Sequence, residues 1–133
     1  MEQIFTLKEP IGKITKARDI FSKIKKININ YDQENLIVFY LNIRNQIIDK
    51  EVLFKGGLSS SILDPKILFR NALLKKANTL IIAHNHPSNN LDPSNSDNEI
   101  YSRLKELGKI LQLKVLDSII FNKKEFYSME EVS

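Results

Sequence analysis

Both histidines of the chain, His84 and His86, stand one residue apart at the end of the apolar run "NTLIIAH". The stretch "IIAHNHPSNNLDPSNSD" then continues through Ser94 to Asp97. In an extended strand, side chains two apart point the same way, so the two imidazoles can enter one volume at the strand end. Asp97 follows His86 by eleven residues, and a loop holding Pro87 and Pro93 can fold back to deliver its carboxylate. Two His and one Asp leave a coordination position open for water, the arrangement of a catalytic rather than a structural zinc. Such a zinc lowers the pKa of its water to about 7 and polarises a substrate carbonyl.

Hydrolysis at such a centre also needs a carboxylate near the metal but not bound to it, to take a proton from the water and pass it to a leaving amine. Glu51, within "DKEVLFKGG", is the candidate, as a charged residue in an otherwise apolar strand beside Gly56-Gly57. Glu34 and Asp49 are its rivals. Ser94 can cap a helix, donate a hydrogen bond to a developing oxyanion, or do both. Ser94 with Asp97 three residues later also resembles a capping box, a role compatible with metal ligation because the cap orients the same residues.

The elements that must position these groups follow from periodicity. Ile14, Ala17, Ile20, Phe21 and Ile24 recur at three- and four-residue steps, which predicts a helix over 14–27. "ENLIVFYLN", residues 34–42, and "QIIDKEVLF", residues 46–54, are rich in β-branched and aromatic types and predict two strands joined by a turn at 43–46. Asp64 and Pro65 read as the N-cap and first position of a second helix ending near Lys76. The apolar run 78–84 predicts a strand buried on both faces. Helical periodicity returns from Asn95 to Leu111, then come a strand over 114–122 and a last short strand in "EFYSM". This order predicts an α/β fold with a mixed sheet and helices packed on its faces.

A chain of 133 residues with 42% hydrophobic and 27% charged residues fits one globular domain, read here as spanning 1–133. The absence of cysteine excludes disulfides, thiolate metal sites and thiol nucleophiles, so any metal is held by nitrogen and oxygen. It also excludes nucleobase deaminases, whose motif pairs His-x-Glu with cysteines. A metallo-β-lactamase pattern is excluded because Ser88 and Asn89 stand where Asp and His would be needed. The N-terminus lacks the apolar centre of a secretory signal, and no apolar run approaches the roughly 20 residues needed to cross a bilayer. The expectation is a cytoplasmic protein without a membrane partner. The net charge is +4, with six basic residues against Asp19 between Lys13 and Lys26. That helix is read mainly as a solvated face, with nucleic acid as the alternative partner.

"HNHPS" followed by "PSNSD" resembles the JAMM signature of the JAB/MPN metalloprotease fold, in which seven residues separate His-x-His from Ser and two more precede Asp. His84, His86, Ser94 and Asp97 meet every spacing. Within that superfamily, "EVLFKGGLSSSILDPKILFRNALLKKANTLIIAHNHPS" and "RLKELGKILQLKVLDSII" are similar to the RadC group. The resemblance covers roughly residues 35–130. It implies a three-layer α-β-α fold like that of cytidine deaminases and a zinc-dependent hydrolase of peptide or isopeptide bonds. The substrate it implies is a protein or peptide, small modifier proteins included. Carried over, His84, His86 and Asp97 bind Zn2+, Glu51 before "VLFKGG" is the general base, and Ser94 stabilises the tetrahedral intermediate.

Three departures stand out. Asn89-Asn90 replaces the usual Gly and Asp or Asn after "HPS", and Asn tolerates left-handed backbone angles. "LDS", residues 116–118, puts Ser118 where the group commonly has His. No helix-hairpin-helix module is read in the chain, which weakens a DNA-repair role. A DNA-associated factor using the basic helix and a non-catalytic interaction module are the competing readings. The second is disfavoured because every ligand is kept.

Overall fold

Every residue of Asn35–Leu41, strand β1, is buried, so this strand must be covered on both faces and its side chains divide by alternation. Leu36, Val38 and Tyr40 enter one apolar cluster, and Ile37, Phe39 and Leu41 enter another. A computed structural model describes residues 13–55 and 63–131, with the backbone alone for residues 54 and 55. Gly56, Gly57 and the serines 59–61 lie outside the described residues. The other elements are α1 (Ala17–Ile24), β2 (Ile47–Lys55), α2 (Pro65–Leu74), β3 (Thr79–Asn85), α3 (Asn95–Leu111), β4 (Lys114–Phe121) and β5 (Phe126–Ser128).

The strands form a five-stranded sheet in the order β2-β1-β3-β4-β5. β3 and β4 are parallel, and the other neighbours are antiparallel. On one face Leu36, Val38, Tyr40, Leu80 and Ile82 meet Leu68, Phe69 and Ala72 of α2 and Tyr101 and Leu104 of α3. On the other face Ile37, Phe39, Ile81, Ala83 and Ile119 meet Ala17, Ile20, Phe21 and Ile24 of α1. This is the expected three-layer α-β-α arrangement with a mixed central sheet, consistent with a JAB/MPN-like fold. Each leucine, isoleucine, valine or phenylalanine among them contributes about 1.5–3 kcal/mol when it leaves water.

Element boundaries follow local hydrogen bonding. The first helix is shorter than the predicted 14–27 because Asp19 accepts from the backbone N–H groups of Thr15 and Lys16, at 2.9 and 3.2 Å, and holds them outside the helix. Ile14 is drawn instead to the turn after β1, its N–H donating to Asn45 O at 2.7 Å. That turn is closed by Asn42, whose Oδ1 accepts from Arg44 and Gln46, with Asn45 at φ 60°. α2 begins as expected, Asp64 Oδ1 accepting from Lys66 N and Pro65 at the first turn. Gly108 lets α3 lie against the start of β4, since a Cβ there would stand 2.3 Å from Leu113 O. Among the described residues no helix is long and apolar enough to cross a membrane.

Candidate metal centre

β3 carries the first ligand candidate to the end of the sheet. His84 lies opposite Leu36 of β1 and Ile120 of β4 and is only 6% exposed. After Asn85 the chain turns: Asn89 N–H donates to His86 O at 2.7 Å, and Asn89 takes φ 68°, the left-handed conformation its residue type tolerates. The His86 Nδ1 lies 2.7 Å from Asn90 O. A carbonyl only accepts, so Nδ1 carries the hydrogen, and in the neutral ring Nε2 presents its lone pair.

α3 brings the carboxylate. Ser94 is its N-cap, its Oγ accepting from Asp97 N at 3.0 Å while Asp97 Oδ2 accepts from Ser94 N at 2.8 Å. The capping box therefore includes the ligand candidate Asp97. Asp97 Oδ1 lies 2.9 Å from His84 Nε2, and Oδ2 lies 3.0 Å from His86 Nε2. Burial acts to raise the Asp97 carboxyl, but the His84 ring beside it and the bonds from Ser94 outweigh burial and hold it well below the usual carboxylate range.

These three residues fit a cation. Among the described residues His84, His86 and Asp97 form a group whose donor atoms all lie within 4.8 Å of one another. His84 Nε2 is buried and makes no aligned hydrogen bond, even to the nearby Asp97. Leaving a buried polar atom unsatisfied costs about 1–3 kcal/mol. In the neutral ring, with its hydrogen on Nδ1, His86 Nε2 would direct a lone pair at a carboxylate oxygen. A positive charge at their common point satisfies all three at once, and two imidazoles with one carboxylate are a donor set suited to zinc.

The centre opens into a cavity of about 490 Å3 lined by Glu34, Leu36, Ile82, Ser94, Ile100 and Ser118 beside the three ligand candidates. Glu34 immediately precedes β1. Since Leu36 is opposite His84, continuing the antiparallel register by two residues brings Glu34 opposite His86. Glu34 is half-buried there. Ser94 also lines the cavity.

Glu51 does not join this group, and its expected place beside the metal is corrected by the strand order. It lies on β2 opposite Val38, and Val38 lies opposite Ile82 on β3. Two strand spacings and a two-residue step separate it from His84, about 12 Å between Cα atoms. Its Oε1 accepts from Tyr40 Oη at 2.6 Å and from Asn71 Nδ2 at 3.2 Å, and Lys75 Nζ is 3.5 Å from Oε2. Burial and then the Glu51 bond push the Tyr40 phenol far up. Asp49 is likewise engaged by Lys75, at 2.7 Å, away from the cavity.

Ser118, on β4 opposite Ile82, is buried in the cavity wall below His84. Two residues escaped the reading of the sequence: Asn85, between the histidines, and Asn35, beside Glu34, are each 1% exposed and bonded to one another. The available signal was an amide in each of two strands otherwise rich in apolar residues. Arg18 of α1 and Lys25, which caps its C-terminus, rest on the rings of Phe126 and Phe21, on the sheet face opposite the cavity.

Comparison with known proteins agrees with this architecture. Residues 14–133 match the family model of the RadC-like JAB domain. A UPF0758 protein of Flavobacterium johnsoniae is 38% identical over 127 residues, covering 96% of this chain and 54% of the relative. A UPF0758 protein of Chlorobium chlorochromatii is 36% identical over 121 residues, covering 91% and 54%. One from Clostridium perfringens is 40% identical over 119 residues, covering 90% and 52%. The chain spans about half the length of these curated relatives.

Proposed function

Because this chain belongs to the RadC-like JAB domain family, we propose that it is a zinc-dependent hydrolase of peptide or isopeptide bonds. His84, His86 and Asp97 would hold the metal, and Glu34 takes the general-base role first assigned to Glu51. The reading is carried by one observation: a ring nitrogen of each histidine and an Asp97 carboxylate oxygen converge within 4.8 Å, with His84 Nε2 lacking a hydrogen bond. When bound, zinc supplies Lewis acidity that polarises a substrate carbonyl and acidifies a water molecule.

The chain's own groups supply the rest. Asn90 O fixes the His86 tautomer through Nδ1, and the Ser94 cap fixes the Asp97 carboxylate. Glu34, in the cavity and outside the ligand group, accepts a proton on its carboxylate and returns it to the departing amine. Ser94 Oγ accepts from Asp97 N, which leaves its hydroxyl hydrogen to donate to the carbonyl oxygen as negative charge develops. The apolar wall of Leu36, Ile82 and Ile100 suits a protein or peptide chain as substrate.

Metal analysis of untagged protein tests the reading. About one zinc per chain is expected in the wild type and almost none in His84→Ala; equal content in both overturns it.

A further inference from the structure

We infer that Asn85 is a positioning residue: from the reverse side of the sheet, it sets the chain segment that carries Glu34. This deepens the hydrolase reading and rests on it for the catalytic consequence. Strand alternation sends His84 toward the cavity and Asn85 to the opposite face. In the same register Asn35 falls directly opposite Asn85, and Glu34 falls on the cavity side with Leu36. His84 and Glu34 thus each have a neighbour in sequence, Asn85 and Asn35, that reaches through to the other face.

The two amides form a closed network. Asn85 Oδ1 accepts from Asn35 N at 2.9 Å and from Asn35 Nδ2 at 3.1 Å. Asn85 Nδ2 donates to Gln33 O at 3.0 Å and reaches Tyr31 O at 3.4 Å. Asn35 Nδ2 also reaches Asn30 O at 2.9 Å and Gln33 O at 3.0 Å. Asn85 thereby uses both of its donors and both lone pairs of its oxygen. Every partner of its side chain lies in residues 31–35, and none lies in α3 or in the loop after His86. The loss of this amide therefore falls on the segment before β1.

The residue type is specific to the task. Aspartate lacks the hydrogens to donate to two carbonyls, and serine is too short to bridge them. The pair is fully desolvated, so a broken bond is not replaced by water at no cost. Tyr31 is braced from another side by the edge-on ring of Phe121, at 5.9 Å between centroids, so the segment has a definite place to be held in. Catalytic groups displaced by about 1 Å commonly lose about 100-fold in rate, which is the size of effect such a clamp can control.

The test compares wild type, Asn85→Ser, Glu34→Gln and the double variant, each loaded with cobalt(II) in place of zinc. In wild type the paramagnetic shifts of the Glu34 resonances report its position relative to the ion. Asn85→Ser is expected to bind one equivalent of cobalt, to move the Glu34 shifts, and to leave those of Leu104 in α3 unchanged. Turnover is read on a pool of unstructured peptides by mass spectrometry. A fall of about 10- to 100-fold in kcat with KM within about twofold is expected for Asn85→Ser, and no further loss when it is added to Glu34→Gln. Unmoved Glu34 shifts, or full additivity of the two substitutions, overturns the inference. If wild type holds cobalt and cleaves no peptide, the hydrolase reading falls, while the Glu34 shifts still decide the clamp. Should Asn85→Ser not fold, Asn35→Ser approaches the same network from its other half and must move the same resonances.

Discussion

Glu51 and Ile82 flank the same residue, Val38, from opposite sides of β1. Ile82 is two residues before the ligand candidate His84, so this arrangement places one whole strand between Glu51 and the strand that carries the centre. The carboxylate on the near side is Glu34, which shares the cavity with His84, His86 and Asp97.

The two glutamates therefore respond differently to the same conservative change. Glu34→Gln is expected to keep its zinc and lose about 100-fold or more in turnover, the usual contribution of a general base. Glu51→Gln is expected to hydrolyse like wild type, with stability changed by about 1 kcal/mol or less, because the amide oxygen can still accept from Tyr40. Steady-state rates and zinc content on the same preparations check this, and the opposite pattern would restore the role to Glu51.

Metal removal should be visible in stability without any substrate. A ligand present at about 100 times its dissociation constant adds about 2.7 kcal/mol to the folded state. Chelator is expected to lower the melting temperature of wild type and added zinc to restore it, while His84→Ala melts identically in both conditions. Thermal melts of both proteins with and without chelator decide the matter.

Ser94 has two separable roles. Ser94→Ala removes the α3 cap, at a cost of about 1 kcal/mol, and also the hydroxyl that faces the cavity, which is expected to lower kcat about 100-fold. Ser94→Asp restores an N-cap oxygen without a donor hydrogen at neutral pH, so the stability should return and the rate should not. Melting temperature and kcat measured together separate the two.

A pH effect is expected away from the candidate metal centre, at Asp117 on β4. Burial pushes its carboxyl above the ordinary 3.8, against the bonds from Ser128 Oγ, Glu130 N and Ser118 N. The folded chain therefore holds this proton more tightly than the unfolded chain. Its contribution to stability is complete below the unfolded value and declines as pH rises through the folded one. Asp117→Asn removes that dependence while keeping an oxygen for the two backbone donors. The melting temperature of the variant minus that of wild type should rise as pH increases through and above 3.8. A constant difference across the range would contradict it.

Much of this molecule was legible in its residues because the relevant interactions are local. Asp64-Pro65 started α2, the periodicity of 95–111 matched α3, and the strand period of two aimed His84 and His86 into one volume. The spacing of Ser94 and Asp97 prescribed the capping box that presents the carboxylate, and Asn89 marked the left-handed turn. Glu34 and Glu51 could not be ranked in the same way. Each is an acid in or beside an apolar strand, and local pattern is blind to which strand lies next to β3. That choice belongs to the sheet order β2-β1-β3, a property of long-range pairing, which sends one carboxylate to the cavity and the other to Tyr40, Asn71 and Lys75. The partnership of Asn35 with Asn85, 50 residues apart, was settled by the same antiparallel register. Sequence alone determined the ligand candidates and the elements that bear them; the tertiary structure decided the groups across from them, because hydrogen-bonded strand neighbours are chosen by the packing of the whole sheet rather than by any one strand.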